Sequence, residues 1–189
     1  TVPNVHPPPT PSRHGLSTGY RGPTQGARCS AGIPAAKQCF EPLVPGALKA
    51  PNTTIYRAPE NRRNNREAFG VWAADRIEEM ILFEGPDTVA AVFIEPVQNS
   101  GGCFPPPPGY LQRVRDICTK YDVIMVADEV ITAFGRIGDW FARHRYWIVP
   151  GIIPCSQGMT GGCVQMGAVV GSDSLCNTFR SAASSFLHG

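Results

Sequence analysis

Two uninterrupted apolar runs, each cut off by an acidic residue, constrain the fold of this chain more than any other feature. Residues 88–94 (TVAAVFI) end at Glu95, and residues 123–127 (VIMVA) end at Asp128. A run that is apolar at every position is typical of a strand covered on both faces, as in parallel sheets. Between the runs, residues 111–121 carry apolar side chains at helical spacing. Strands joined through a helix are parallel, so the sequence predicts an α/β protein with a mostly parallel sheet flanked by helices.

The rest of the chain divides at about residue 66. Residues 1–66 are rich in proline and glycine, which predicts an irregular segment with a short strand near 54–57. Residues 67–189 predict the α/β core. Its other predicted elements are a helix over 67–84, strands within 148–153 and 164–170, and a helix from about Asp173. The chain does not begin with Met and has no closing element, which favours a fragment of a longer protein.

Composition excludes several classes of protein. The net charge is +2 and charged residues make up 17% of the chain, which does not indicate a protein that binds nucleic acid or a membrane surface. No run reaches the roughly 18 apolar residues that a membrane helix needs. The seven cysteines show neither a CxxC pair nor a Cys/His zinc spacing. We therefore expect free thiols in a reducing, cytoplasmic compartment and no metal site.

The two acids that follow the strands are the first candidates for a functional site. In open α/β sheets, ligands bind beyond the carboxyl ends of the strands, and Glu95 and Asp128 both lie at such an end. The alternative is that either acid caps the next turn or pairs with a structural arginine. Farther along, Gln157 lies between an apolar run and a glycine-rich loop. This spacing suggests a short strand, a tight turn and a loop whose backbone approaches a ligand.

Two basic side chains admit both a functional and an ordinary interpretation. His14 lies in the irregular segment and is either a site residue or a surface histidine. Arg136 ends the motif FGR and either approaches a carboxylate or is an ordinary surface arginine.

Eight short motifs, in matching order and spacing, together resemble the class III aminotransferases. They are FEPLVPG (40–46), YRAPE (56–60), EGPDT (84–88), EPVQ (95–98), PPGY (107–110), ADEV (127–130), FGR (134–136) and GMT (158–160). The resemblance covers about residues 12–189. It implies the large domain of a fold type I enzyme that uses pyridoxal 5′-phosphate, with the small domain absent. It also implies a homodimer that moves an amino group from an amine or ω-amino acid to a 2-oxo acid.

The resemblance assigns a role to each matching residue. Asp128 matches the aspartate that pairs with the pyridine nitrogen and keeps it protonated, so that the ring accepts electrons from the substrate. Val130 matches the residue that packs on one face of the ring. Gln98 and Glu95 match positions near the ring hydroxyl and the substrate side, and Arg136 is also placed on the substrate side.

Two departures from the family's pattern lie near the N-terminus. His14 and Gly15 match an aromatic-His-Gly segment whose aromatic residue stacks on the ring, but Arg13 stands at the aromatic position. The stretch from Gly15 to Gly32 also looks longer and more divergent than in the family.

The third departure concerns the chemistry itself. The family has a lysine before Gly-Met-Thr, and this chain has Gln157. That lysine forms a Schiff base with the cofactor and then shuttles a proton. A carboxamide nitrogen does neither near neutral pH, and none of the three lysines, Lys37, Lys49 and Lys120, is expected to replace it. We therefore expect impaired transamination; the alternatives are a non-catalytic binding protein or an inactive fragment.

Overall fold

A single six-stranded sheet organises the chain in the computed structural model, which describes residues 12–16 and 19–181. The strands are β1 (Ser12–Leu16), β2 (Ala47–Ala50), β3 (Val89–Ile94), β4 (Ile124–Ala127), β5 (Ile152–Cys155) and β6 (Ala168–Gly171). Their order across the sheet is β2-β1-β3-β4-β5-β6. All neighbouring pairs are parallel except β5 with β6. The predicted mostly parallel sheet is thus confirmed.

The described residues contain a helix at each of the three predicted places and three shorter helices that were not predicted. In chain order, the helices are α1 (Gln25–Ser30), α2 (Arg66–Glu84), α3 (Tyr110–Lys120), α4 (Ala142–Arg145), α5 (Gln157–Thr160) and α6 (Asp173–Ser181). Helix α2 begins where the Asn65 side chain accepts a hydrogen bond from the Ala68 amide (2.9 Å). It ends at Gly85, whose positive φ of 90° leads the chain out of the helix. None of the described helices is long and apolar enough to span a membrane.

The core lies between the sheet and the pair of helices α2 and α3. Its apolar side chains come from both helices and from β3 and β4, and those that are at most 1% exposed include Ile77, Ile81, Val92, Ile94, Leu111, Val114, Ile117 and Met125. Each such side chain stabilises the fold by about 1.5–3 kcal/mol through burial. This packing holds β3 and β4 side by side, in register from Ala91 opposite Ile124 to Ile94 opposite Ala127.

The N-terminal part of the chain differs from its prediction. The strand predicted near 54–57 is wrong, because Ile55–Arg57 is a turn of 3-10 helix. Strands β1 and β2 instead come from this segment, and β1 lies between β2 and β3. The sheet therefore continues across residue 66, and the domain division placed there stays a prediction.

Candidate functional site

Backbone hydrogen bonds align the carboxyl ends of three parallel strands. The Asp128 amide donates to the Ile94 carbonyl (2.7 Å), and the Glu129 amide donates to the Pro154 carbonyl (3.0 Å). Glu95 and Asp128 follow β3 and β4 directly, and Gln157 follows β5 after one intervening residue. The structure therefore brings these three candidates to one edge of the sheet.

A cavity of about 450 Å³ opens at this edge. Of the residues proposed from the sequence, it is lined by Glu95, Asp128, Val130 and Gln157. Gln157 also lines an adjoining, more open cavity of about 870 Å³, together with Arg136. The structure thus gathers most of the candidates into two adjoining cavities that share Gln157.

Arg21, which was not among the residues proposed from the sequence, also lines the smaller cavity. Its guanidinium Nη1 forms a hydrogen-bonded ion pair with Glu95 Oε1 and lies 3.4 Å from Asp128 Oδ2. The same nitrogen donates to the Tyr20 carbonyl at 2.9 Å. The Arg21 side chain is only 4% exposed, and those of Glu95 and Asp128 are 9% and 10% exposed. Both strand-end acids therefore pair with an arginine inside the cavity that they line.

Both acids also satisfy backbone groups of the turns that follow them. Glu95 Oε2 accepts a hydrogen bond from the Asn99 amide (3.0 Å), and Asp128 Oδ1 accepts one from the Val130 amide (3.2 Å). Burial raises the pKa of Asp128 above its ordinary value, the Arg21 guanidinium opposes the rise, and the Glu95 carboxylate adds to it. The two acids share the Arg21 guanidinium as their nearby cation.

Gln98 is a buried amide without a side-chain partner. Its backbone is fixed by hydrogen bonds to and from Phe104 (3.0 and 2.7 Å). The residue is 1% exposed, and among the described residues neither its amide nitrogen nor its amide oxygen finds a hydrogen-bond partner. An unpaired buried polar group costs about 1–3 kcal/mol, although Gln98 itself lines neither of the two cavities.

Glu129 is fully buried and organises the loop beyond β4. Its carboxylate accepts hydrogen bonds from the Ala142 amide (2.6 Å), the Arg143 amide (2.9 Å) and the Thr132 hydroxyl (3.1 Å). The first two are amides at the start of α4, which otherwise lack partners within the helix. Glu129 therefore closes the loop that carries Arg136, a structural role that the sequence did not assign.

The position of Gln157 is set by backbone contacts of its neighbour. Where a tight turn was predicted, residues 157–160 form the single-turn helix α5. The Gly158 amide donates to the Val130 carbonyl (2.9 Å), and a Cβ on Gly158 would lie 2.6 Å from the Ala133 carbonyl oxygen. Only glycine allows the backbone at residue 158 to lie this close to Ala133. The contact holds the neighbouring Gln157 at the cavity, and the side chain of Gln157 is exposed.

The remaining two candidates lie in β1. A Cβ on Gly15 would lie 2.7 Å from the Ser30 carbonyl oxygen, so glycine is required where the end of α1 packs on the strand. His14 pairs in the sheet with Leu48 and Val92. Its side chain, like that of Arg13, lies outside the described residues. Metal-binding side chains do not come together in groups of three or more within the described part of the chain.

The residues that line the smaller cavity suit the ring of pyridoxal phosphate but not its covalent attachment. Asp128 offers a carboxylate for the ring nitrogen, and Val130 lies beside it with an apolar side chain. The Gln157 amide offers no nucleophile, and the Arg21 guanidinium already pairs with Asp128. The site thus fits a ring held without a covalent bond, provided that Arg21 yields its contact with Asp128.

Comparison with known proteins agrees with the motifs. A family model described as aminotransferase class III matches residues 14–189. A probable aminotransferase of Mycobacterium tuberculosis is 54% identical over 173 residues, which are 92% of this chain and 37% of that protein. The putrescine–pyruvate aminotransferase of Pseudomonas aeruginosa is 35% identical over 175 residues, or 93% of this chain and 38% of the relative. The chain therefore spans a little over a third of the length of the relatives it matches.

Solved structures show the same likeness in three dimensions. A thermostable (S)-enantioselective ω-transaminase from Thermomicrobium roseum superimposes with a TM-score of 0.89 at 35% identity. The match covers 94% of this chain and 39% of that one. The sheet and its helices are thus those of the corresponding part of a transaminase.

Proposed function

Because the chain belongs to the class III aminotransferase family, we propose that it forms the cofactor-side part of a transaminase site but does not itself catalyse transamination. The family depends on pyridoxal phosphate and moves an amino group from an amino donor to a 2-oxo acid. The observation that carries the proposal is Gln157, whose amide lies at the cavity where the family has its lysine.

An amide nitrogen lacks the reactivity of an amine. Its lone pair is delocalised into the carbonyl, so Gln157 neither bonds covalently to an aldehyde nor moves a proton between substrate carbons. Acid–base assistance of this kind typically contributes about 10²–10⁴-fold to a rate. The backbone contacts of Gly158 support this proposal, because they hold residue 157 beside the cavity that Asp128 and Glu95 also line.

The other residues keep roles in binding and orientation. Pyridoxal phosphate, when bound, supplies an electron sink for the reacting bond of the substrate. Asp128 would hold the proton on the ring nitrogen, and Val130 would pack against one ring face. Gln98 would donate to or accept from the ring hydroxyl, an assignment supported by its unpaired amide. Glu95 and Arg136 would face the substrate side, from the smaller and the larger cavity respectively.

The experiment restores the missing amine. We expect that borohydride reduction of the full chain with pyridoxal phosphate leaves no adduct at residue 157, whereas Gln157→Lys gains one at that residue, located by peptide mass spectrometry. Gln165→Lys is the matched control, because it adds a lysine at an exposed position that lines the larger cavity. Ordinary transaminase turnover by the unaltered chain, or equal adducts at residues 157 and 165, would contradict the proposal.

Substrates, assembly and location follow as further proposals. The relatives named for putrescine and pyruvate and for hypotaurine, taurine and pyruvate support an amine or ω-amino acid donor with a small 2-oxo acid acceptor. We also propose a homodimer, which sedimentation equilibrium of the full chain would test. A cytoplasmic location is proposed from the same family identity, and imaging of the tagged protein in its host would test it.

A further inference from the structure

The Arg21 guanidinium stands beside the carboxylate oxygen that the cofactor ring would need. It lies 3.4 Å from Asp128 Oδ2, and its side chain is almost completely buried. Its second terminal nitrogen lies 3.4 Å from the Phe93 carbonyl oxygen, within the sheet edge itself. A protonated ring nitrogen that approached Asp128 would therefore meet the positive charge of Arg21, which already contacts that carboxylate.

The loop that carries Arg21 is tied to the site independently of the guanidinium. The Tyr20 amide donates to Glu95 Oε1 (3.2 Å), and the Gly19 carbonyl accepts a hydrogen bond from the Gly32 amide (2.7 Å). The positive φ of Gly22 (110°) then turns the chain toward α1. These contacts deliver Arg21 into the cavity from the stretch between Gly15 and Gly32 that departs from the family's pattern.

We propose that Arg21 is a built-in competitor for Asp128, which must give up that carboxylate before a protonated pyridine ring binds there. Its two ion pairs are unequal, since the guanidinium donates a hydrogen bond to Glu95, whereas it lies 3.4 Å from Asp128 without a hydrogen bond between them. The guanidinium therefore keeps Glu95 as its partner when the ring displaces it from Asp128. This inference rests on the proposed function for the class of ligand, a phosphorylated pyridine.

The test measures binding of pyridoxamine 5′-phosphate, which has no aldehyde and so does not react with lysines. Its fluorescence would be titrated with the full chain, with Arg21→Gln, and with both in an Asp128→Asn background. Arg57→Gln is the matched control, because it removes the same charge from an exposed arginine. We expect Arg21→Gln to bind the probe about tenfold more tightly or better, a coupling of ordinary size. That gain disappears when Asp128 is replaced.

Two results would overturn the inference: an affinity that is unchanged or weaker in Arg21→Gln, or an equal gain in the Asp128→Asn background. If the variant does not fold, the unaltered chain provides a second measurement with an arginine-selective dicarbonyl reagent. The free chain should protect Arg21, and the probe should speed its modification while leaving Arg57 unchanged; no acceleration would count against the competition.

Failure of this inference differs from failure of the proposed function. An adduct at residue 157 in Gln157→Lys, together with no gain in Arg21→Gln, rejects the competitor and keeps the function. Tighter binding by Arg21→Gln without an adduct in Gln157→Lys keeps the competitor and rejects the proposed function.

Discussion

Replacing Glu129 by glutamine tests whether this buried carboxylate holds the loop beyond β4. Its two oxygens accept different amides: Oε1 takes that of Arg143, and Oε2 takes that of Ala142 together with the Thr132 hydroxyl. Glutamine keeps one acceptor oxygen, so its NH2 group faces at least one backbone N–H. A lost hydrogen bond to a charged group and the orphaned amide together predict a loss of about 2–4 kcal/mol.

Urea unfolding followed by tryptophan fluorescence would measure the free energy of unfolding of Glu129→Gln. For a domain of this size, the same loss lowers the melting temperature by about 5–15 °C. Glu79→Gln is the matched control, because Glu79 is 56% exposed and pairs with Arg76 at the surface; we expect it to change stability by no more than about 0.5 kcal/mol. A Glu129→Gln variant as stable as that control would refute the structural role.

Two more predictions concern other parts of the fold. Gly158→Ala places a Cβ 2.6 Å from the Ala133 carbonyl oxygen and should cost about 1–3 kcal/mol. Gly26→Ala is the control, because a Cβ at residue 26 has open space around it, and it should be neutral or slightly stabilising. Equal urea midpoints for the two variants would contradict the close contact between Gly158 and Ala133. Burial, followed by the charge of Lys37, lowers the pKa of Lys49 to about 8 from its ordinary 10.5. Since the unfolded chain then binds more protons between these values, stability rises with pH across that window. Lys49→Met should lose this rise in urea midpoints compared at pH 7.5 and 10, and an unchanged pH dependence would refute it.

The parts of the fold that could be predicted are those with local signals. β3 and β4 are apolar throughout, and α2 has an asparagine before it and Gly-Pro after it. β1 has no such signal, because its residues SRHGL form no apolar run and its place between β2 and β3 depends on pairing with distant strands. The strand predicted near 54–57 was wrong because an isolated pair of an apolar and an aromatic residue occurs equally well in a strand and in a 3-10 turn.

The candidate site divides in the same way. The edge where Glu95 and Asp128 meet follows from parallel strands, and the position of Gln157 follows from the motif after β5. The burial of Arg21 does not, because it depends on a contact with Glu95 across 74 residues. The only signal was the divergence of the stretch that contains it.

The main-chain contacts that hold residue 157 in place have an evolutionary consequence. Since Gly158, Val130 and Ala133 hold this position through main-chain atoms, the fold does not depend on which side chain follows Ser156. Lysine and glutamine codons differ by a single base, so one mutation exchanges the two, and the exposed side chain of residue 157 leaves room for either. Under the proposed function, a lineage carrying this scaffold could lose its chemistry at residue 157 and recover it without a change in backbone architecture.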